Sequence, residues 1–201
     1  MKYTDILIKN FPALTEVKTD IENAINLIID AYRNGKKLLV CGNGGSAADS
    51  EHIAGELMKG FILKRELKEE DKEIYGKHAH TLQYGLPCIP LTSSISLSTA
   101  VINDNAADMM FAQQVFVLGS CKDVLIALST SGNSSNIVAA AEVAKAKDMK
   151  IISITGKNES ALSRISDVTI KIPEEETYRI QEYTLPVYHA MCADIENEFY
   201  A

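Results

Sequence analysis

The stretch Leu38-Leu39-Val40-Cys41-Gly42-Asn43-Gly44-Gly45-Ser46-Ala47-Ala48-Asp49-Ser50-Glu51-His52-Ile53-Ala54-Gly55-Glu56 decides the fold. Its first four residues form a short apolar run bounded by glycines, the pattern of a buried parallel strand. The Gly/Asn/Ser segment that follows tolerates positive φ and lets backbone come close to a ligand. Beyond it the composition turns helical, with Ala47, Ala48 and Ala54. A strand, a glycine-rich turn and a helix together aim backbone N–H groups at an anion, most often a phosphate. His52 and Glu56, four residues apart on that helix, face the same way. On this stretch alone, an imidazole–carboxylate site and a pair of solvated helix residues are equally good readings. Two nucleotide motifs fail here. Gly42-x-Gly44-x-x-Ala47 lacks the acid at the end of a second strand that a dinucleotide fingerprint needs, and no Gly-Lys-Ser/Thr makes a P-loop.

Working outward, the 201 residues are enough for one good core and predict one domain, 1–201. A formal net charge of -7 argues against a nucleic-acid surface. No apolar run reaches membrane-spanning length, and the first residues lack the apolar segment of a signal peptide. Cys41, Cys88, Cys121 and Cys192 show no CxxC spacing, so reduced thiols and a cytoplasmic location are expected.

The remaining chain alternates helix and strand. Residues 1–34 read as an N-terminal helical segment, with Leu14, Val17, Ile21, Ala24, Ile25, Ile28, Ile29 and Tyr32 on one face and Pro12 breaking or starting a helix. The mixed charges that open the excursion at about 64–85 predict a solvated helix or a mobile excursion, not a core element; His78 and His80 within it read as solvated. Further strands are expected at Cys88–Leu91, Asp123–Leu128, Lys150–Gly156 and Val168–Pro173. Helices are expected at Leu97–Ile102, Phe111–Val117, Ile137–Lys147 and Arg179–Tyr200, with a polar turn at Asn103-Asp104-Asn105. The last helix has Leu185, Val187, Tyr188, Met191, Cys192 and Ile195 as candidate core. This is an α/β three-layer sandwich: a five-stranded parallel sheet flanked by helices, with ligand beyond the carboxyl ends of the strands. A second such end, Ser129-Thr130-Ser131-Gly132-Asn133-Ser134, holds more hydroxyls than one helix cap needs and favours an anion site.

These blocks, with Asn103-Asp104, Ile154-Thr155-Gly156-Lys157 and Arg179-Ile180-Gln181-Glu182 through His189, resemble the phosphoheptose isomerases of the sugar isomerase (SIS) superfamily. The resemblance covers nearly the whole chain. It implies conversion of sedoheptulose 7-phosphate to a glycero-manno-heptose 7-phosphate by Glu56 and His189 as an acid–base pair. It further implies phosphate on Ser129, Thr130, Ser131 and Ser134, and sugar along Asn43, Gly44, Gly45, Glu56, Asn103, Asp104 and Gln181. Zinc on His52, Glu56, Gln181 and His189 is implied, as is a homotetramer with active sites built from neighbouring subunits. The chemistry agrees, since a carboxylate and an imidazole flanking the substrate suit an enediol route. Departures are Lys59-Gly60-Phe61 where the family has an arginine, Tyr178 before the Arg-Ile-Gln run, the excursion itself, and Pro186, expected to kink the last helix. Two other readings remain: isomerisation of a different phosphosugar, and a non-catalytic phosphosugar-binding relative of the kind that binds a replication initiator.

Overall fold

The computed structural model describes residues 2–201. Five strands, β1 (Leu38–Gly42), β2 (Cys88–Pro90), β3 (Val124–Leu128), β4 (Lys150–Gly156) and β5 (Val168–Ile172), form one parallel sheet in the order β2-β1-β3-β4-β5. Successive side chains on a strand point to opposite faces. Leu38, Val40, Val124, Ile126, Ile152 and Ile154 therefore join one core, while Leu39, Cys41, Leu125, Ala127 and Ile151 join another. The first core packs against α1 (Tyr3–Asn10), α2 (Lys18–Arg33), α3 (Gly45–Met58) and α9 (Thr177–Tyr200). The second packs against α6 (Met110–Leu118), α7 (Ser135–Ala146) and α8 (Ala161–Ile165). Helices α4 (Glu69–Tyr75) and α5 (Ile95–Asp104) complete the set.

Several expectations shift in detail. The N-terminal helical segment breaks at Pro12, where a 3-10 turn spans Pro12–Val17, because proline lacks the N–H that would continue α1. Asn103 and Asp104 lie in the last turn of α5, not in a polar turn after it. Leu185, expected in the core, is 40% exposed. Helix α9 runs through Pro186 as one element.

The excursion departs most. Helix α4 is solvated as expected, with no buried residue. Arg65, in the same charged run, is buried. Its Nε donates to Glu196 Oε1 at 2.8 Å, and its other nitrogens donate to the carbonyls of Leu57 (2.6 Å) and Glu56 (3.2 Å). Its guanidinium also lies 4.6 Å from the Tyr200 ring centroid. Glu196 in turn accepts the backbone N–H groups of Phe61, Ile62 and Leu63 at 2.8–3.0 Å. Burial would raise this carboxyl's pKa, but those donors and Arg65 outweigh it and hold the pKa below its usual value. Carbonyls in the last turn of a helix have no intrahelical donor; Arg65 supplies one to α3 and ties it to α9.

Removing one partner of a buried ion pair leaves an uncompensated charge, at a cost of about 3–5 kcal/mol. Arg65→Met should lower the free energy of urea unfolding by that amount. A loss under about 1 kcal/mol, as for an exposed pair, would show that the clamp is not fully desolvated.

Candidate active site

The strand order reverses direction between β1 and β3, and at such a point the two outgoing loops diverge and leave a crevice. Both glycine- and serine-rich turns open there. Gly44 has φ +57°, a left-handed conformation that favours glycine. Gly45 begins α3, and a Cβ there would come within 2.8 Å of the Gln181 side chain. A side chain at Gly45 would therefore displace the end of Gln181. The two loops are joined by a reciprocal amide pair: Asn43 Nδ2 donates to Asn136 Oδ1 and Asn136 Nδ2 to Asn43 Oδ1, both at 2.9 Å.

In the second loop the Ser134 hydroxyl does not cap α7. It sits 3.0 Å from the Ser129 hydroxyl. Ser131 Oγ accepts the Asn133 N–H at 3.1 Å, and Gly132 takes φ +64°. The hydroxyls therefore cluster at the mouth of α7, whose first-turn N–H groups lack intrahelical acceptors. Thr130 is half-buried beside them.

Two turns beyond Gln181 on α9, His189 meets α3. His52, Glu56 and His189 present ligand atoms that all lie within 4.8 Å of one another. His52 Nε2 is 2.9 Å from Glu56 Oε1 and 3.4 Å from His189 Nε2. Lys59, which stands near the position of the family's arginine, donates to Glu56 Oε2 at 3.3 Å. Burial first, and then the neighbouring His52, lower the His189 pKa below the usual imidazole value; Glu56 opposes them in part. A neutral His189 keeps a lone pair for a proton or a cation.

The four predicted ligands thus split. His52, Glu56 and His189 converge, while Gln181 abuts Gly45. Asn103 and Asp104 are exposed on α5, where the Asn103 amide donates to Asp104 at 2.8 Å. Among the described residues neither hydrogen-bonds to the cluster. Tyr188, in contact with it, and Asp49 behind Tyr188 escaped the sequence reading as site residues. Tyr188 is buried, with its hydroxyl 2.9 Å from His52 Nδ1 and 3.2 Å from Asp49 Oδ1. The available signal was Asp49 one turn before His52, on the same helical face.

With this geometry in view, the comparisons are specific. The SIS domain family model matches residues 3–156. A phosphoheptose isomerase from Shewanella denitrificans is 35% identical over 201 residues, covering 98% of this chain and 93% of that protein.

The chain belongs to the phosphoheptose isomerase group of the SIS-domain family.

Solved structures agree with this membership. A phosphoheptose isomerase from Francisella tularensis superposes with TM-score 0.74 at 28% identity, over 98% of this chain and 100% of that one. One from Neisseria gonorrhoeae gives 0.72 at 31% identity, over 96% and 98%. The family model stops before α9, so Gln181 and His189 lie outside it; the relatives extend the likeness through that helix.

The electrostatics can be read from ring titration. By NMR, His189 should titrate below the ordinary imidazole value of about 6.5. Glu56→Gln should push its midpoint lower, because the anion that favours imidazolium is gone. His52→Asn should raise it. Shifts of opposite sign would contradict the arrangement.

Proposed function

We propose that this chain is an aldose–ketose isomerase that converts sedoheptulose 7-phosphate to D-glycero-D-manno-heptose 7-phosphate. The observation that carries this reading is the meeting of Glu56 and His189, from two different helices, two turns along α9 from the glycine-rich turn. Its phosphate end fits the other half of the crevice. Ser129, Thr130, Ser131 and Ser134, with the N-terminus of α7, offer hydroxyl and N–H donors to phosphate oxygens. Asn43, Gly44, Gly45 and Gln181 line the way between, with Asn103 and Asp104 assigned to the sugar by resemblance only.

The dimensions support a long substrate. Gln181 and His189 are eight residues apart, about 12 Å along a helix. An extended seven-carbon chain of ~1.5 Å bonds spans about 10 Å from C1 to phosphorus. The open-chain ketose then lies along the groove between α3 and α9, with C1 and C2 at the cluster.

Glu56 takes a proton from C1, and the electron pair moves into an enediolate. The neutral His189 takes the proton from the O1 hydroxyl and delivers it to O2, and the carboxylic acid of Glu56 returns its proton to C2 as the aldehyde forms, so both groups end as they began. Closely spaced acid and base groups of this kind contribute about 10²–10⁴-fold each.

The donor set fits zinc. Ligand atoms at ~2.05 Å from a tetrahedral ion are about 3.3 Å apart, and the two Nε2 atoms are 3.4 Å apart. His52, Glu56 and His189 would hold the ion, while Gln181, assigned to it by resemblance, abuts Gly45 instead. When bound, it polarises the carbonyl and stabilises charge on the enediolate oxygens.

A homotetramer with shared sites is supported by apolar residues left open: Ile95 at 73%, Phe116 at 63% and Val117 at 66% exposure on α5 and α6. The groove beside His189 is also apolar, lined by Tyr3, Phe11, Phe61, Ile62 and Pro186. A cytoplasmic location accords with four unpaired cysteines. Among the described residues no helix is long and apolar enough to cross a membrane.

Incubated with sedoheptulose 7-phosphate and zinc, the protein should yield the aldose by NMR. Glu56→Gln should lower kcat by about 10²–10⁴-fold. No product from the wild type, or undiminished product from the variant, rejects this mechanism; turnover of a shorter ketose phosphate in preference would redirect it to another sugar. Light scattering should give a mass four times the 22.0 kDa of one chain, and a monomer would remove the shared-site reading.

A further inference from the structure

Tyr188 touches no predicted substrate atom, yet it stands directly behind one member of the cluster. Its side chain is 1% exposed and is held between α9 and α3. The hydroxyl reaches His52 Nδ1 at 2.9 Å and Asp49 Oδ1 at 3.2 Å. Its ring meets His52 edge-on, with centroids 5.4 Å apart. A phenol carries one proton and can also accept, so it can satisfy either a lone pair or an N–H.

The proton count then fixes its role. With the Glu56 carboxylate accepting at 2.9 Å, His52 Nε2 carries the ring proton and Nδ1 is a bare acceptor. The single Tyr188 hydrogen then turns from Asp49 to donate to it. When Nε2 instead offers a lone pair to a cation, the proton of the neutral ring must sit on Nδ1. Tyr188 oxygen then accepts that N–H, and its own hydrogen turns to Asp49. The imidazole stays neutral in both arrangements, and no net proton is gained or lost. Only a hydroxyl hydrogen and a ring proton change place, while the heavy atoms stay put.

We propose that Tyr188, backed by Asp49, is a positioning residue that holds the His52 ring in one orientation while letting its Nε2 present either an N–H or a lone pair. This deepens the reading of His52 as a metal ligand and rests on it. Hydrogen bonds behind a ligating histidine fix its tautomer and aim, and removing them costs about 10–100-fold in metal affinity.

Tyr188→Phe keeps the packing and deletes only the hydroxyl, so a purely structural role would leave metal affinity intact. Zinc alone is titrated into the full-length protein against a chromophoric chelator. Tyr188→Phe should bind about 10–100-fold more weakly, and Asp49→Asn less so, since its amide oxygen still accepts. In the metal-free protein at mildly alkaline pH, nitrogen-detected NMR should show the neutral His52 ring protonated at Nε2. In Tyr188→Phe the ring should populate both tautomers. A folded Tyr188→Phe with affinity within about twofold of wild type, well short of the expected loss, overturns the proposal. So does an Nδ1–H tautomer in the metal-free wild type. If the wild type takes up no zinc, the metal reading falls, and the tautomer measurement alone decides on Tyr188.

Discussion

One buried carboxylate sets the geometry on which the rest depends. Glu196 on α9 gathers the N–H groups of Phe61, Ile62 and Leu63 and the guanidinium of Arg65. Taking two charges out of water is costly, and attraction alone seldom repays it. Here the oxygens of the anion and the nitrogens of the cation all have partners, so no polar group is stranded. What results is placement. Arg65 also grips the carbonyls of Glu56 and Leu57, which fixes the last turn of α3 against α9. Glu56 leaves that turn, and His189 lies two turns before Glu196 on the same face of its own helix. The carboxylate and the imidazole are thus brought together by an ion pair that takes no part in their chemistry.

The other end of the same helix pair is positioned by the sheet. α3 and α9 run side by side in one direction: Gly45 meets Gln181, Asp49 meets Tyr188, and His52 meets His189. The N-terminal end of this pair opens at the crevice between β1 and β3, where the Asn43–Asn136 amide bridge locks the two loops together. Sheet register sets the loops, and helix register sets Glu56 and His189. The two are coupled because α3 starts at one and ends at the other.

How much of this the sequence disclosed follows from the range of each interaction. Strands such as Leu38–Cys41 and Asp123–Leu128 announce themselves by local apolar runs, and all five appear in the sheet. His52 and Glu56 were legible because four residues on a helix is a local spacing. Their meeting with His189 came only from resemblance, since nothing local links positions so far apart. The Arg65–Glu196 pair was hidden for the same reason and for another. Arg65 sits among Lys64, Glu66, Lys68 and Glu69, so a buried guanidinium looks like one more solvated charge. Glu196 did carry a trace: it follows Tyr188 and Cys192 at four-residue steps, in a stripe that is otherwise core. A carboxylate in an apolar stripe calls for a buried partner.

The charge distribution near the serine loop favours hydroxyls and dipoles for the proposed anion site. The cations around it are already engaged. Lys157 pairs with Glu175, Lys171 with Glu159, and Arg179 with Glu174 and Glu182. A phosphate arriving at a chain of net charge -7 therefore meets no unpaired lysine or arginine among these groups. In the proposed function, binding would fall to the N–H groups of α7 and the hydroxyls of Ser129, Thr130, Ser131 and Ser134. Fixed dipoles need not reorganise around the anion, whereas a lysine would lose side-chain entropy on ordering. In the proposed site they would hold one end of a substrate without adding positive charge to the groove, leaving Glu56 and His189 to their own neighbours on α3 and α9.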